Sequence, residues 1–181
     1  MWLIRSVLEI ARAGQPAGAA GGGTACISRA HAFALQDPDS GSYSTHSTSG
    51  LIMSSGYFGN RRKPSYYYYS AYNSWLGNHS YAGPVALPSG TSASVRALCF
   101  VKRAPALRYA IVIWATTSAA SVFPGVVVNL SSAACPVVPA AGGSAVLVTP
   151  TAGVIGGGVA AIAGTSVTLS VTEVPVIIAL A

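Results

Sequence analysis

The sequence predicts an α+β fold that is mostly β: a short helical first part followed by an antiparallel β-sandwich of about six to eight strands. Three observations predict it. A sharply delimited aromatic helix lies between Pro64 and Gly77. The pattern after it changes to period two, and turn residues then separate apolar runs at intervals of about 8 to 15 residues. Pro64 suits the first helical position, where a missing N–H costs nothing, and Gly77 suits the left-handed position just past a helix end. Between them Tyr68, Tyr72 and Trp75 fall at i, i+4 and i+7, with Tyr69 and Leu76 flanking, so one aromatic stripe is expected to face inward.

The elements follow in chain order. Residues 2–13 place Leu3, Val7 and Ile10, with Ile4, Leu8 and Ala11, at helical spacing, and Gly14 and Pro16 stop this amphipathic helix. Residues 15–24 are a Gly- and Ala-rich loop, residues 30–35 a short apolar strand, and residues 36–49 an exposed Ser-, Gly- and Pro-dense loop leading through Gly50-Leu51-Ile52-Met53 to the organising helix. Residues 93–103 alternate Val95, Ala97, Cys99 and Val101 against Arg96, Leu98, Phe100 and Lys102. Residues 108–116 return as a nearly continuous apolar strand, which makes the two a hairpin. Further strands are expected at 125–130, 145–149, 159–163, 165–172 and 174–180. The domains read from this are a helical and loop segment over 1–83 and an antiparallel β-sandwich over 84–181.

Composition narrows the function classes. Of 181 residues 51% are hydrophobic and only 8% charged, and four carboxylates face ten Lys and Arg, a net charge of +6. Low charge with abundant hydroxyl side chains leans toward an extracellular or cell-surface protein. The cations are diffuse. Their one run, Arg61-Arg62-Lys63, reads as a solvated helix entrance, so nucleic acid is not an expected partner. No apolar run reaches the roughly 18 residues of a membrane span. Arg5, Glu9 and Arg12 interrupt what would otherwise be the apolar core of a signal peptide.

Few residues group into chemistry. Cys26, Cys99 and Cys135 match no zinc or redox spacing, and Cys99, inside an alternating strand, reads as a buried thiol. If a disulfide forms, Cys26 with Cys135 is the pairing expected. His31, His46 and His79 are scattered, and Asp37-Pro38-Asp39 offers too few oxygens for calcium, so neither metal nor cofactor is expected. Gly156-Gly157-Gly158 reads as a turn, and no Gly-x-Ser-x-Gly elbow occurs. Asn78-His79-Ser80 and Asn129-Leu130-Ser131 are N-glycosylation acceptor patterns, relevant in a secreted eukaryotic protein.

The order of pieces resembles the C-terminal part of a clan A (β/α)8-barrel glycoside hydrolase. The resemblance is carried by Trp2-Leu3-Ile4-Arg5-Ser6, Leu35-Gln36-Asp37, Gly50-Leu51-Ile52, Lys63-Pro64-Ser65-Tyr66-Tyr67 and Leu76-Gly77. Val95 to Phe100, Tyr109 to Trp114 and Val167 to Val171 then resemble the appended β-sandwich of such enzymes. It implies that residues 1 to about 82 are the end of a barrel, and that Phe33 and Asp37 lie near the C-terminal end of its last strand, where they could line a sugar subsite. The two catalytic carboxylates of that family would lie outside this chain. Read alone, Asp37 and Asp39 are loop-capping residues and Glu9 and Glu173 have no acid-base partner.

Three functions are therefore weighed. The first is a non-catalytic β-rich interaction or self-assembly module, its exposed apolar surface covered by a second copy or a partner chain. The second is a fragment of an active glycoside hydrolase. The third is a carbohydrate-binding sandwich with Tyr57, Phe58, Tyr81 or Trp114 as stacking platforms, Trp114 reading more readily as core.

Overall fold

The computed structural model describes Leu8, Leu51 and residues 61–103, 108–117, 120–133, 135–136, 144–148, 157–161 and 165–180. The chain divides into two units, Met1–Ala71 with Pro150–Ile155 and Tyr72–Thr149 with Gly156–Ala181. Of the first, the described part is Leu8, which is helical and buried, Leu51, also buried, and residues 61–71. The remaining elements expected before residue 61 lie outside the described residues.

Helix α1 spans Pro64–Leu76, between the two punctuating residues. At its start the Tyr66 N–H donates to the Lys63 carbonyl at 2.9 Å, and the Lys63 N–H donates to the Leu51 carbonyl at 2.9 Å. At its end the Gly77 N–H donates to the Asn73 carbonyl at 3.0 Å. A Cβ at Gly77 would collide with that same oxygen, so the termination requires glycine through this close approach and not through the left-handed backbone expected there. The aromatic stripe is shorter than its periodicity suggests. Ala71 and Tyr72 are buried, Tyr68, Tyr69 and Leu76 half-buried, and Trp75 is 37% exposed. Trp75 follows Ala71 by four residues and Tyr72 by three, so its angle round the helix is right. Its place in the last turn leaves the ring in solvent.

The second unit is antiparallel throughout. A six-stranded sheet runs in the order β1-β2-β3-β8-β5-β6, formed by Ser80–Pro84, Val95–Lys102, Arg108–Ala115, Val176–Leu180, Ser144–Val148 and Gly157–Ala161. A separate two-stranded ribbon pairs β4 (Phe123–Asn129) with β7 (Ser166–Val171). Strand β1 appears in no sequence expectation and begins before residue 84. It carries Gly83 and Pro84, residues that weaken a strand signal, and its register with β2 shifts between Tyr81 and Gly83.

Alternation explains the core. Val95, Ala97 and Cys99 of β2, Ile111, Ile113 and Ala115 of β3, and Val176 and Ile178 of β8 share one apolar cluster with Val126, Val128, Val167, Leu169 and Val171 of the ribbon. Each Val, Leu or Ile among them contributes about 1.5–3 kcal/mol on full burial. The opposite face of the central strands is also covered, since Leu98, Phe100, Val112, Trp114 and Ile177 are buried. Burial on both faces is why residues 110–115 read as an unbroken apolar run. The ribbon keeps one wet face, with Val127, Asn129, Thr168 and Ser170 exposed.

Cys135 bonds to Cys99, with Cα atoms 5.9 Å apart, which corrects both the Cys26–Cys135 pairing and the free buried thiol expected at Cys99. The reason lies in the register. Cys99 faces the shared core, and Cys135 is brought to it by a tight turn in which Ser132 and Cys135 exchange backbone hydrogen bonds of 2.9 and 3.0 Å. Cys26 lies outside the described residues. With a sequence separation of 36, the cross-link should contribute about 4 kcal/mol through the unfolded chain. Replacing Cys135 with alanine should therefore lower the urea midpoint and, because the released unfolded chain exposes more surface, steepen its slope. A non-reduced proteolytic digest should yield the Cys99 and Cys135 peptides as one linked mass, while Cys26 alkylates.

Candidate functional site

The register of the first three strands brings basic side chains into line. Lys102, the last residue of β2, pairs with Arg108, the first residue of β3, and Ser80 pairs with Val101. Continued by one residue, the same register sets His79 beside Lys102. Directly opposed residues share a sheet face, so His79, Lys102 and Arg108 form a row across one end of the sheet. Like charges directly opposite on neighbouring strands are destabilising, and here the pair has no carboxylate beside it among the described residues. Arg103, also exposed, follows immediately.

His79 is held by its backbone, whose N–H donates to the Leu76 carbonyl at 2.9 Å in the turn that leaves helix α1. Its Nδ1 is buried and has no hydrogen-bond partner among the described residues. Burial holds its pKa below the ordinary histidine value, and the charges of Lys102 and Arg108 add to that depression. The next row inward on the same face is aromatic. Tyr81 pairs with Phe100, their rings edge to face with centroids 5.8 Å apart. Phe100 is buried and Tyr81 half-buried, so the tyrosine presents an edge of the site.

The described carboxylate lies at the other end of these strands. Glu173 Oε1 accepts the Thr117 hydroxyl at 3.2 Å and the Ala120 N–H at 2.9 Å. Ala120 has φ 49°, a left-handed conformation uncommon for alanine, and Glu173 is one of the groups holding that turn. Just before this turn the Thr116 N–H donates to the Ser94 carbonyl at 2.7 Å, extending the β2–β3 register by one pair. From Arg108 to Ala115 the strand runs for about 24 Å, so Glu173 is far from the basic row.

Of the residues singled out in the sequence, Phe33, Asp37, Tyr57 and Phe58 lie outside the described residues. Asn78 is exposed in the turn after α1, and Asn129 is exposed on β4, where its Oδ1 accepts the Ser131 N–H at 2.9 Å. Trp114 is fully buried and is core rather than a platform. Tyr81 alone of the suggested platforms is described and partly open. The basic row is the site that sequence reasoning missed. The hairpin expectation already implied that Lys102 faces Arg108, but without β1 nothing connected them to His79.

No protein-family model matches the chain, and no curated protein matches it. A solved structure does. The fold is similar to part of a glycoside hydrolase. The neighbour is a family 39 glycoside hydrolase from the gut symbiont Bacteroides cellulosilyticus WH2, with a TM-score of 0.53 and 14% identity. The likeness covers 81% of this chain and 25% of that chain, so the sequence spans a quarter of the enzyme's length. At this identity the likeness is one of fold.

The environment of His79 has a measurable consequence. A proton-detected titration should place its midpoint below the ordinary 6.5, and Lys102→Gln or Arg108→Gln should raise it. Since the folded protein binds that proton less readily than the unfolded chain, this group's contribution to stability is present above pH of about 6.5 and lost as pH falls toward the lowered value. A midpoint at or above the ordinary value would contradict the burial and charge argument.

Proposed function

We propose that this chain is a non-catalytic, β-rich interaction or self-assembly module of an extracellular or cell-surface protein, built like the C-terminal region of a clan A glycosidase. The observation that carries it is the fold likeness, which takes in most of this chain and only a quarter of the hydrolase. Two features support it. Glu173 is engaged as a structural acceptor for Thr117 and Ala120. The β4–β7 ribbon presents Val127, 37% exposed, and is preceded by Val122, 59% exposed, beside strand edges that have no further partner among the described residues. A second copy or a partner chain would cover these.

The share of the hydrolase that is matched also favours a second reading, a piece of a working glycosidase whose acid and nucleophile or base are supplied by residues outside this sequence. The denatured mass of the native material separates the readings, near 18.2 kDa for the module and well above it for the enzyme; two further measurements test the first reading. Light scattering of the purified 181-residue chain should give a native mass that is a multiple of 18.2 kDa. A panel of aryl glycosides should be turned over no faster than in buffer. Hydrolysis abolished by a single point substitution would sink the non-catalytic reading, and a native mass of one copy would remove self-assembly.

A further inference from the structure

We infer that the His79–Lys102–Arg108 row, with Tyr81 beside it, is a binding site for an acidic polysaccharide, the row taking a sugar-borne oxyanion and the tyrosine the ring face. It deepens the proposed interaction role and rests on that reading only in that a bound chain is held and not cut.

Four observations carry it. First, Lys102 and Arg108 are a register pair of β2 and β3, and His79 immediately precedes β1, whose pairing with β2 begins at Ser80 with Val101, so backbone register and not a chance meeting of surface side chains sets the row. Second, it places Lys102 and Arg108 directly opposite each other with no described carboxylate between them, an arrangement that a bound anion relieves. Third, His79, whose backbone N–H is held on the Leu76 carbonyl, contributes a half-buried imidazole with a buried Nδ1 that has no partner among the described residues. Fourth, the adjacent residue pair on the same face is Tyr81–Phe100, with the buried Phe100 ring steadying a partly open Tyr81 ring at 5.8 Å.

Size favours a sugar polymer over a nucleic acid. Strands in a sheet lie about 4.8 Å apart, so the row is about 10 Å from β1 to β3, with the aromatic pair about 7 Å further along the strands. That footprint suits one or two linked sugar rings carrying a carboxylate or sulfate. A nucleic-acid track needs cations repeated along a longer path. The other run of described cations, Arg61-Arg62-Lys63, is confined to the helix entrance, where Arg61 is exposed and Arg62 stacks on Tyr66 at 4.6 Å.

The test is affinity electrophoresis of the full chain through gels containing dextran, dextran sulfate or polygalacturonate. Retardation by dextran sulfate or polygalacturonate, but not by dextran, is expected, and the two acidic gels tell sulfate from carboxylate recognition. Lys102→Gln and Arg108→Gln should each weaken retention on the order of tenfold, and Tyr81→Ala should weaken it while leaving the charge intact. Arg61→Gln/Arg62→Gln removes as much charge as the Lys102/Arg108 double variant and should leave retention unchanged, with thermal melts confirming that all variants fold. Equal loss in both double variants, or unchanged retention without Lys102 and Arg108, overturns the site. So does competition by single-stranded DNA as strong as that by the acidic glycan. New reducing ends in the gel would overturn the non-catalytic reading instead.

Discussion

The pairing of β2 with β3 is the constraint on which the rest of the second unit depends. Its register runs unbroken from Val95 with Ala115 to Lys102 with Arg108. Because successive residues alternate faces, that one register decides which side chains join the shared cluster, which cysteine can reach Cys135 and which cations align at the strand ends. A slip of one residue would turn Cys99 away from its partner and bury Lys102 among Val95-type positions. The disulfide therefore reinforces a register already specified by apolar burial on both faces.

That double burial has a cost at the aromatic positions. Trp114 is fully enclosed with its indole N–H unpartnered among the described residues, and Tyr72 of the helix likewise has a buried hydroxyl without one. Burial pushes the Tyr72 phenol well above its ordinary pKa, so it is neutral at any physiological pH. Each unmet donor costs about 1–3 kcal/mol. The large rings offset this by the area they bury, a trade that favours filling space over satisfying every polar atom. Glu173 shows the opposite solution, where a charged side chain at the sheet end accepts both a hydroxyl and a backbone N–H.

Much of this was legible in the sequence because it rests on local rules. Pro64 and Gly77 marked the helix ends, and the alternation from Val95 to Val101 marked both a strand and its inward face. The strands after residue 120 were also visible, with boundaries shifted by one or two residues where Gly157 or Phe123 extended a pairing. What was not legible depended on partners distant in sequence. The exposure of Trp75 reflects where packing along α1 ends, which helical periodicity cannot encode. Strand β1 has too little side-chain signal around Gly83 and Pro84, and with it went the alignment of His79 with two cations more than twenty residues away. The disulfide was misassigned because spacing between cysteines carries no register. The carbohydrate-contact candidates Phe33 and Asp37, suggested by resemblance, and Tyr57 and Phe58, suggested as stacking aromatics, lie outside the described residues.

Strand β8 gives the sheet a particular order of construction. It sits between β3 and β5, so the β5–β6 hairpin reaches the rest of the sheet only through residues 176–180. Early in folding the chain can form two separate hairpins, β2–β3 and β5–β6, each with an apolar edge open to water. They become one sheet only when a segment more than sixty residues downstream of β3 inserts between them. Such non-local closure is intrinsically slow, and it leaves both hairpin edges unprotected for its duration. The central place of β8 makes it the keystone of assembly, and the newly made protein is most exposed to mispairing with its neighbours just before that strand arrives.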